Sequence, residues 1–281
     1  RNVTGVQTCA LPILRFKRQY IDLRGTRIWS SYAKSIISKI TGRSRGVALL
    51  LHGGMSQSEG FDGRLSPAVK GFEVFSYDRA GHGRSPDVPG SFHFDFQYQE
   101  AIAYLEDVVR RPAHLIGKSD GGIISLLVAI HRPDLVKTIT LIGANYKADM
   151  GQPSIEEWEP DEEAKAKYAR FSPDPAHTLV SKIKKMVQIW RTEPNMTLAQ
   201  LAKIKCPALV IAGDDDVMSL AHTNEIYGAI ENSRLAIIPA SSHLIDKDQP
   251  ELLNKVIRDF LLNSEFPVTL MPVRRKVREA Q

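Results

Sequence analysis

The sequence predicts an α/β fold: a mostly parallel sheet with helices on both faces and an inserted helical cap. Three features lead there. Short runs that are apolar throughout, such as Val47–Leu51, have the composition of strands buried on both faces. Stretches of helical periodicity separate these runs, and strands joined through helices pair in parallel. Residues 146 to 200 interrupt the rhythm. They are rich in Glu, Lys and Pro, show no strand pattern, and read as helices laid over the strand ends, with 182–190 the clearest.

Along the chain, residues 20–23 and 26–32 form a hairpin across Arg24-Gly25. Strands follow at 47–51, 72–77, 113–116, 138–142, 208–212 and 235–238. Between them, 95–109 carries Ile102, Leu105, Val108 and Val109 at helical spacing, and 120–130 is an apolar helix. A final helix, 248–262, is expected to gather Leu252, Leu253, Val256, Ile257, Phe260 and Leu261 on one face, with Asp248 as expected N-cap and Pro250 in the first turn. The core is thus expected to span 15–145 and 201–262 around a cap at 146–200. Residues 3–13 read like a translated sequencing-adapter primer, so 1–14 is expected to be non-native, and such an artefact points to an environmental, bacterial source for the chain. The true start is expected upstream of Arg1, with the cytoplasm as default compartment.

Composition bounds the partners. The 281 residues are 43% hydrophobic and 25% charged, which is ordinary globular usage and excludes disorder, collagen and coiled coil. No apolar run approaches the ~20 residues of a membrane span. The net charge of +5 sits at the ends: residues 1–18 carry +4, residues 263–281 carry +2, and the body between them −1. No nucleic-acid or membrane partner is therefore expected, and the tail with Arg274-Arg275-Lys276 reads as a solvated, flexible end. Cys9 and Cys206 cannot build a disulfide framework or a zinc site, and Cys206 reads as a small buried hydrophobe.

The strand at 113–116 runs into Gly117-Lys118-Ser119-Asp120-Gly121-Gly122 and then a helix, which is Gly-x-Ser-x-Gly in strand–turn–helix context. So sharp a turn strains the backbone of Ser119 and presses the residues two before and two after it against neighbouring backbone, hence Gly117 and Gly121. It also exposes the hydroxyl at a helix N-terminus, where free N–H groups favour developing negative charge. The same Gly117-Lys118-Ser119 could close a phosphate-binding loop, with Asp214 as its magnesium carboxylate. That motif needs Gly at position 112, which is Pro112, and a loop where the strand runs.

A nucleophilic serine needs a base, and a histidine base needs an acid. Asp214, Asp215 and Asp216 follow one strand and His243 follows the next, at strand ends where sites of open parallel sheets form. Position alone does not choose among the three aspartates. Other histidines fit worse: His222 lies in a helix, His131 ends one, His114 is inside a strand, and His93 and His177 lie in loops without partners. The strand 47–51 ends in His52-Gly53-Gly54-Met55, with His52 structural. This glycine loop can offer the N–H of Gly54 or Met55, beside that of Asp120, to an oxyanion. Each such donor is worth ~3 kcal/mol in a transition state.

From residue 20 to 262 the sequence resembles the α/β-hydrolase superfamily. The likeness rests on His52-Gly53-Gly54, Asp78-Arg79-Ala80-Gly81-His82-Gly83-Arg84-Ser85, the Ser119 motif, Gly213-Asp214-Asp215-Asp216 and His243. The resemblance implies the α/β-hydrolase fold, selects Asp216 as the acid, and marks the segment 79–85 as a structural turn. Gly-x-Ser-Asp-Gly-Gly-Ile and Gly143-Ala144-Asn145 are similar to the valacyclovir hydrolase branch. That likeness implies that Asp120 holds the amino group of an α-aminoacyl ester, and a carboxylate beside the acyl site favours a cation on electrostatic grounds alone. This chain departs from the branch at Lys118, where the branch carries Trp, and so places a cation where it can neutralise Asp120.

The expected activity is hydrolysis of a small-molecule ester or amide through Ser119, His243 and Asp216, with no metal and no organic cofactor. The alternatives are a ligand-binding protein on the same fold, or C–C bond hydrolysis or acyl transfer by the same residues.

Overall fold

The computed structural model describes residues 14–34, 44–148, 159–265 and 269–271. Eight strands form one sheet: β1 (Lys17–Leu23), β2 (Thr26–Lys34), β3 (Val47–Leu51), β4 (Glu73–Asp78), β5 (Ala113–Lys118), β6 (Val136–Ile142), β7 (Ala208–Asp215) and β8 (Ser233–Ser242). Their order is β1-β2-β4-β3-β5-β6-β7-β8. The hairpin β1–β2 adds antiparallel at one edge, and β4 through β8 run parallel. Alternate residues of the all-apolar strands feed opposite faces. Leu49 and Leu51 join one core with Leu115, while Ala48 and Leu50 join the other with Ile116.

The first face is covered by α2 (Phe94–Tyr104), α3 (Asp120–His131) and α7 (Leu220–Ala229), which contribute Tyr104, Ile124 and Ile226. The second is covered by α1 (Ser58–Leu65) and α9 (Pro250–Leu262), through Phe61, Leu65, Leu253, Ile257 and Phe260. Leu14 is buried in this second core. The rest of the adapter-like stretch, and Arg274-Arg275-Lys276 of the tail, lie outside the described residues. Cys206 is half-buried, and burial pushes its thiol up to about 12. No helix among the described residues is long and apolar enough to cross a membrane.

The strand expected at 72–77 is displaced by one residue to Glu73–Asp78, and that at 235–238 extends beyond its apolar centre to Ser233–Ser242, because ladder pairing continues into polar residues that carry no periodic signal. The expected single helix at 95–109 is α2 followed by a wider π-type turn, Leu105–Val109. Arg110, at φ +58°, closes it by donating its N–H to Leu105 O over 2.7 Å. Asp248 is not the N-cap of α9. It ends the one-turn α8 (Ile245–Asp248), and its carboxylate accepts from the Ser242 amide and hydroxyl, while Gln249 caps α9 without a side-chain bond.

The cap holds α4 (Glu162–Phe171), α5 (Thr178–Thr192) and the short α6 (Leu198–Leu201). Leu179, Ile183 and Val187 of α5 pack with Tyr168 of α4, and Met186 and Ile189 turn down into the main core. The buried Lys182 ties α5 to Asp174 and to Gly81 O. His93 was expected to lack partners, but its Nδ1 lies 2.6 Å from Glu193 Oε1, which pins the end of α5 to the start of α2.

Asp62 on α1 is fully buried, with no hydrogen bond on either carboxylate oxygen among the described residues and Arg18 at 3.6 Å. Burial pushes this carboxyl up to about 7, and burial raises Glu100 to about 7 as well. Both groups hold a proton in the folded state that the unfolded chain gives up near pH ~4. Their stabilisation is therefore present at low pH and lost as pH rises from about 4 through about 7, at about 1.4 kcal/mol per unit for each. Asp62→Asn is expected to halve that decline in thermal melts taken at pH 5, 6, 7 and 8. An unchanged slope would exclude Asp62 as its source.

Candidate active site

The turn from β5 to α3 carries Ser119 at φ +52° and ψ −119°, a conformation that L-residues rarely adopt. A Cβ on Gly117 would lie 2.0 Å from Gly121 O, and one on Gly121 would lie 2.0 Å from Leu51 O. No side chain fits either position, which is the requirement anticipated from the motif. Ser119 N–H donates to Ile142 O (2.8 Å), and Ser119 O accepts from Gly122 and Ile123. The leading N–H groups of a helix lack intrahelical partners, and that of Asp120 is the first in α3.

His243 follows β8, with its Nδ1 2.7 Å from Asp216 Oδ1. The Asp216 side chain is fully buried, and its carboxylate also accepts from Met218 N–H (3.1 Å) and Gly213 N–H (3.4 Å). Burial opposes its ionisation, but the His243 hydrogen bond and charge, with these amides, outweigh burial and hold the carboxyl below its ordinary range. With Nδ1–H directed at Asp216, the second ring nitrogen of His243 is an acceptor. His243 and Ser119 line the same cavity, of about 340 Å³. Of the other aspartates, Asp214 accepts from Ser241 N–H (3.0 Å) and holds the following turn, while Asp215 pairs with Ser242 at the sheet end. His222 is buried in α7, where it accepts from Tyr146 N–H and stacks on that ring. His114 meets Thr138 and His131 stacks on Tyr98.

The glycine loop is fixed from beneath. His52 is buried and kept neutral, with burial the main cause. Its Nε2 accepts from Arg79 N–H (3.2 Å), so Nδ1 bears the proton and donates to Gly53 O (2.7 Å). The buried Arg79 guanidinium donates a second bond to the same oxygen over 2.9 Å and one to Gln97 Oε1 over 2.6 Å. Gly53 O is thus drawn inward. Across a planar trans peptide, the Gly54 N–H points the opposite way, away from Arg79.

Asp120 lies under that loop. Its side chain is 2% exposed, and the carboxylate accepts from Trp190 Nε1 (2.9 Å) and lies 3.6 Å from Arg79 Nη2. Burial raises its pKa, against the pull of Arg79 and Trp190. A Cβ on Gly54 would fall 2.4 Å from Trp190 and 2.6 Å from Asp120 Oδ2, so Gly54 and Trp190 wall the carboxylate off from the cavity. Lys118 does not neutralise it, contrary to the expectation from sequence. Lys118 points to the other side of the elbow, where Asp246 of α8 accepts from both Lys118 Nζ and Arg64 Nε. The cation facing Asp120 is Arg79, from the segment expected to be only a structural turn.

Sequence reading therefore missed Arg79, Trp190, Arg64 and Asp246. One signal was available: a lysine ending a strand buried along its whole length needs a buried counter-charge.

A family model described as the alpha/beta hydrolase family matches residues 48–256. The serine hydrolase BPHL of Homo sapiens is 26% identical over 237 residues, covering 79% of this chain and 81% of that protein. The (E)-2-((N-methylformamido)methylene)succinate hydrolase of Acinetobacter baylyi is 25% identical over 234 residues, covering 76% and 89%. The solved structure of CarC, a serine hydrolase involved in carbazole degradation, superposes with a TM-score of 0.69 at 18% identity, over 88% of this chain and 99% of that one, a likeness of fold. With eight strands in this order, helices on both faces and a helical cap, the chain belongs to the alpha/beta hydrolase family and is a hydrolase.

Proposed function

We propose that the protein hydrolyses a small-molecule carboxylic ester or amide through an acyl-enzyme on Ser119. The observation that carries this reading is the strained Ser119 in one cavity with His243, whose other nitrogen is held by the ionised Asp216. His243 takes the Ser119 proton as Oγ bonds to the substrate carbonyl carbon. The oxyanion accepts from the N–H groups of Asp120 and Gly54, the latter favoured over Met55 by the inward pinning of Gly53 O. The bond to the leaving group then breaks, and the leaving group departs with the proton from His243. Water, deprotonated by His243, adds to the acyl-enzyme, and collapse returns the acid and a free Ser119. The cap at 146–200 shapes the cavity, and Asp216 holds the imidazole in register.

An α-aminoacyl preference would need the Asp120 carboxylate to reach an ammonium group. Walled off and already facing Arg79 and Trp190, it serves the loop instead. That BPHL is named a serine hydrolase, and the Acinetobacter protein for a succinate derivative, supports small-molecule hydrolysis. The test is reaction with a fluorophosphonate, which is expected to form one adduct, on Ser119.

A further inference from the structure

Among the described residues, the cavity around Ser119 is lined by four cations, Arg64, Lys118, Lys167 and Lys247, and by no carboxylate. Asp246 lies behind it, fully buried, and one carboxylate answers both Arg64 and Lys118. Lys167 on α4 and Lys247 on α8 are exposed and have no ion-pair partner among the described residues. Lys118 is 8% exposed and lines the cavity with Ser119, and Asp246 holds its charge at that wall. A partly closed cavity with excess charge of one sign concentrates ligands of the other. The neighbouring cavity, of about 470 Å³, shares the 55–57 loop, Leu244 and two of these lysines, Lys167 and Lys247, with the first; its further walls are mostly apolar, Phe92, Tyr168, Phe171, Leu179 and Ile183, beside a Lys182 already paired with Asp174.

We propose that the natural substrate is an ester or amide carrying a carboxylate, which the Arg64, Lys118, Lys167 and Lys247 set holds beside Ser119 while an apolar portion enters the chamber under the cap. This rests on the hydrolase reading above and is opposite in charge to an aminoacyl substrate. Asp246 acts as a positioning residue: it aims Lys118 and Arg64 and does not itself meet the substrate.

The test is a charge series of equal chain length: monomethyl adipate, methyl hexanoate and methyl 6-aminohexanoate. The expected kcat/KM is about tenfold higher for the anionic ester than for the neutral one and lowest for the cationic one, with the preference shrinking as salt is added. Lys247→Ala, at an exposed position, and Lys118→Met, which leaves Asp246 paired with Arg64, are each expected to lower the anionic-to-neutral ratio. Turnover of the neutral ester that depends on Ser119, with equal or poorer turnover of the anionic one, would overturn the anionic assignment and leave the hydrolase standing. Adipate that quenches Trp190 fluorescence in Ser119→Ala, with wild type hydrolysing none of the three, would do the reverse.

Discussion

Ser119→Gly is expected to give an enzyme that is inactive and more stable. Losing the proposed nucleophile costs about 10⁴-fold or more in kcat, the scale found when a serine nucleophile is removed from such a constellation. The stability change has the opposite sign. At φ +52° and ψ −119° a side chain stores about 1–3 kcal/mol of backbone strain, which glycine releases. Glycine's extra freedom in the unfolded chain returns about 0.5–1 kcal/mol. The balance is a gain of about 1 kcal/mol, or about 2–4 °C in melting temperature for a chain of this size. Ser119→Ala keeps the strain, so it should lose the same activity without the gain. Equal melting temperatures for the two variants would remove the strain from the account.

The second large effect is at Arg79. Arg79→Met leaves the Asp120 carboxylate buried without its counter-charge, which costs about 3–5 kcal/mol. Adding Asp120→Asn removes that charge, keeps an acceptor for Trp190 Nε1, and should recover most of the stability. Activity should not follow. Gly53 O then keeps only the His52 bond, the Gly54 N–H is aimed less firmly, and kcat in the double variant falls about tenfold with KM little changed. A guanidinium that merely filled space would give a double variant restored in both stability and kcat.

Arg79 also shows where a single sequence stops being legible. Ser119, Gly117 and Gly121 could be read because the elbow is local: its strain and its backbone contacts lie within a few residues. The meeting of His243 with Asp216 and the Ser119 cavity could be expected because strand ends of a parallel sheet converge. Asp216 stood beside Asp214 and Asp215 with nothing local to separate them, and only the family pattern chose it. In the structure the choice is geometric, since Asp214 is committed to Ser241 N–H and Asp216 to His243. The partners that set charge lie far along the chain. Lys118 meets Asp246 across 128 positions, and Trp190 meets Asp120 across 70. Nearness in sequence put Lys118 against Asp120, but the residues on either side of Ser119 in this elbow point apart, so the assignment of charges inverted. The fold itself was legible because buried parallel strands leave unbroken apolar runs. Its misreadings fell at polar ends such as Asp248, whose bond to Ser242 outcompetes a cap.

The most direct measurement is fluorophosphonate labelling with peptide mapping, run on the wild type and on His243→Ala. A single adduct on Ser119, lost when His243 is replaced, is the predicted result, because the proposed mechanism activates the serine only through that imidazole. No adduct on a folded wild-type protein, or an adduct that persists without His243, would contradict it.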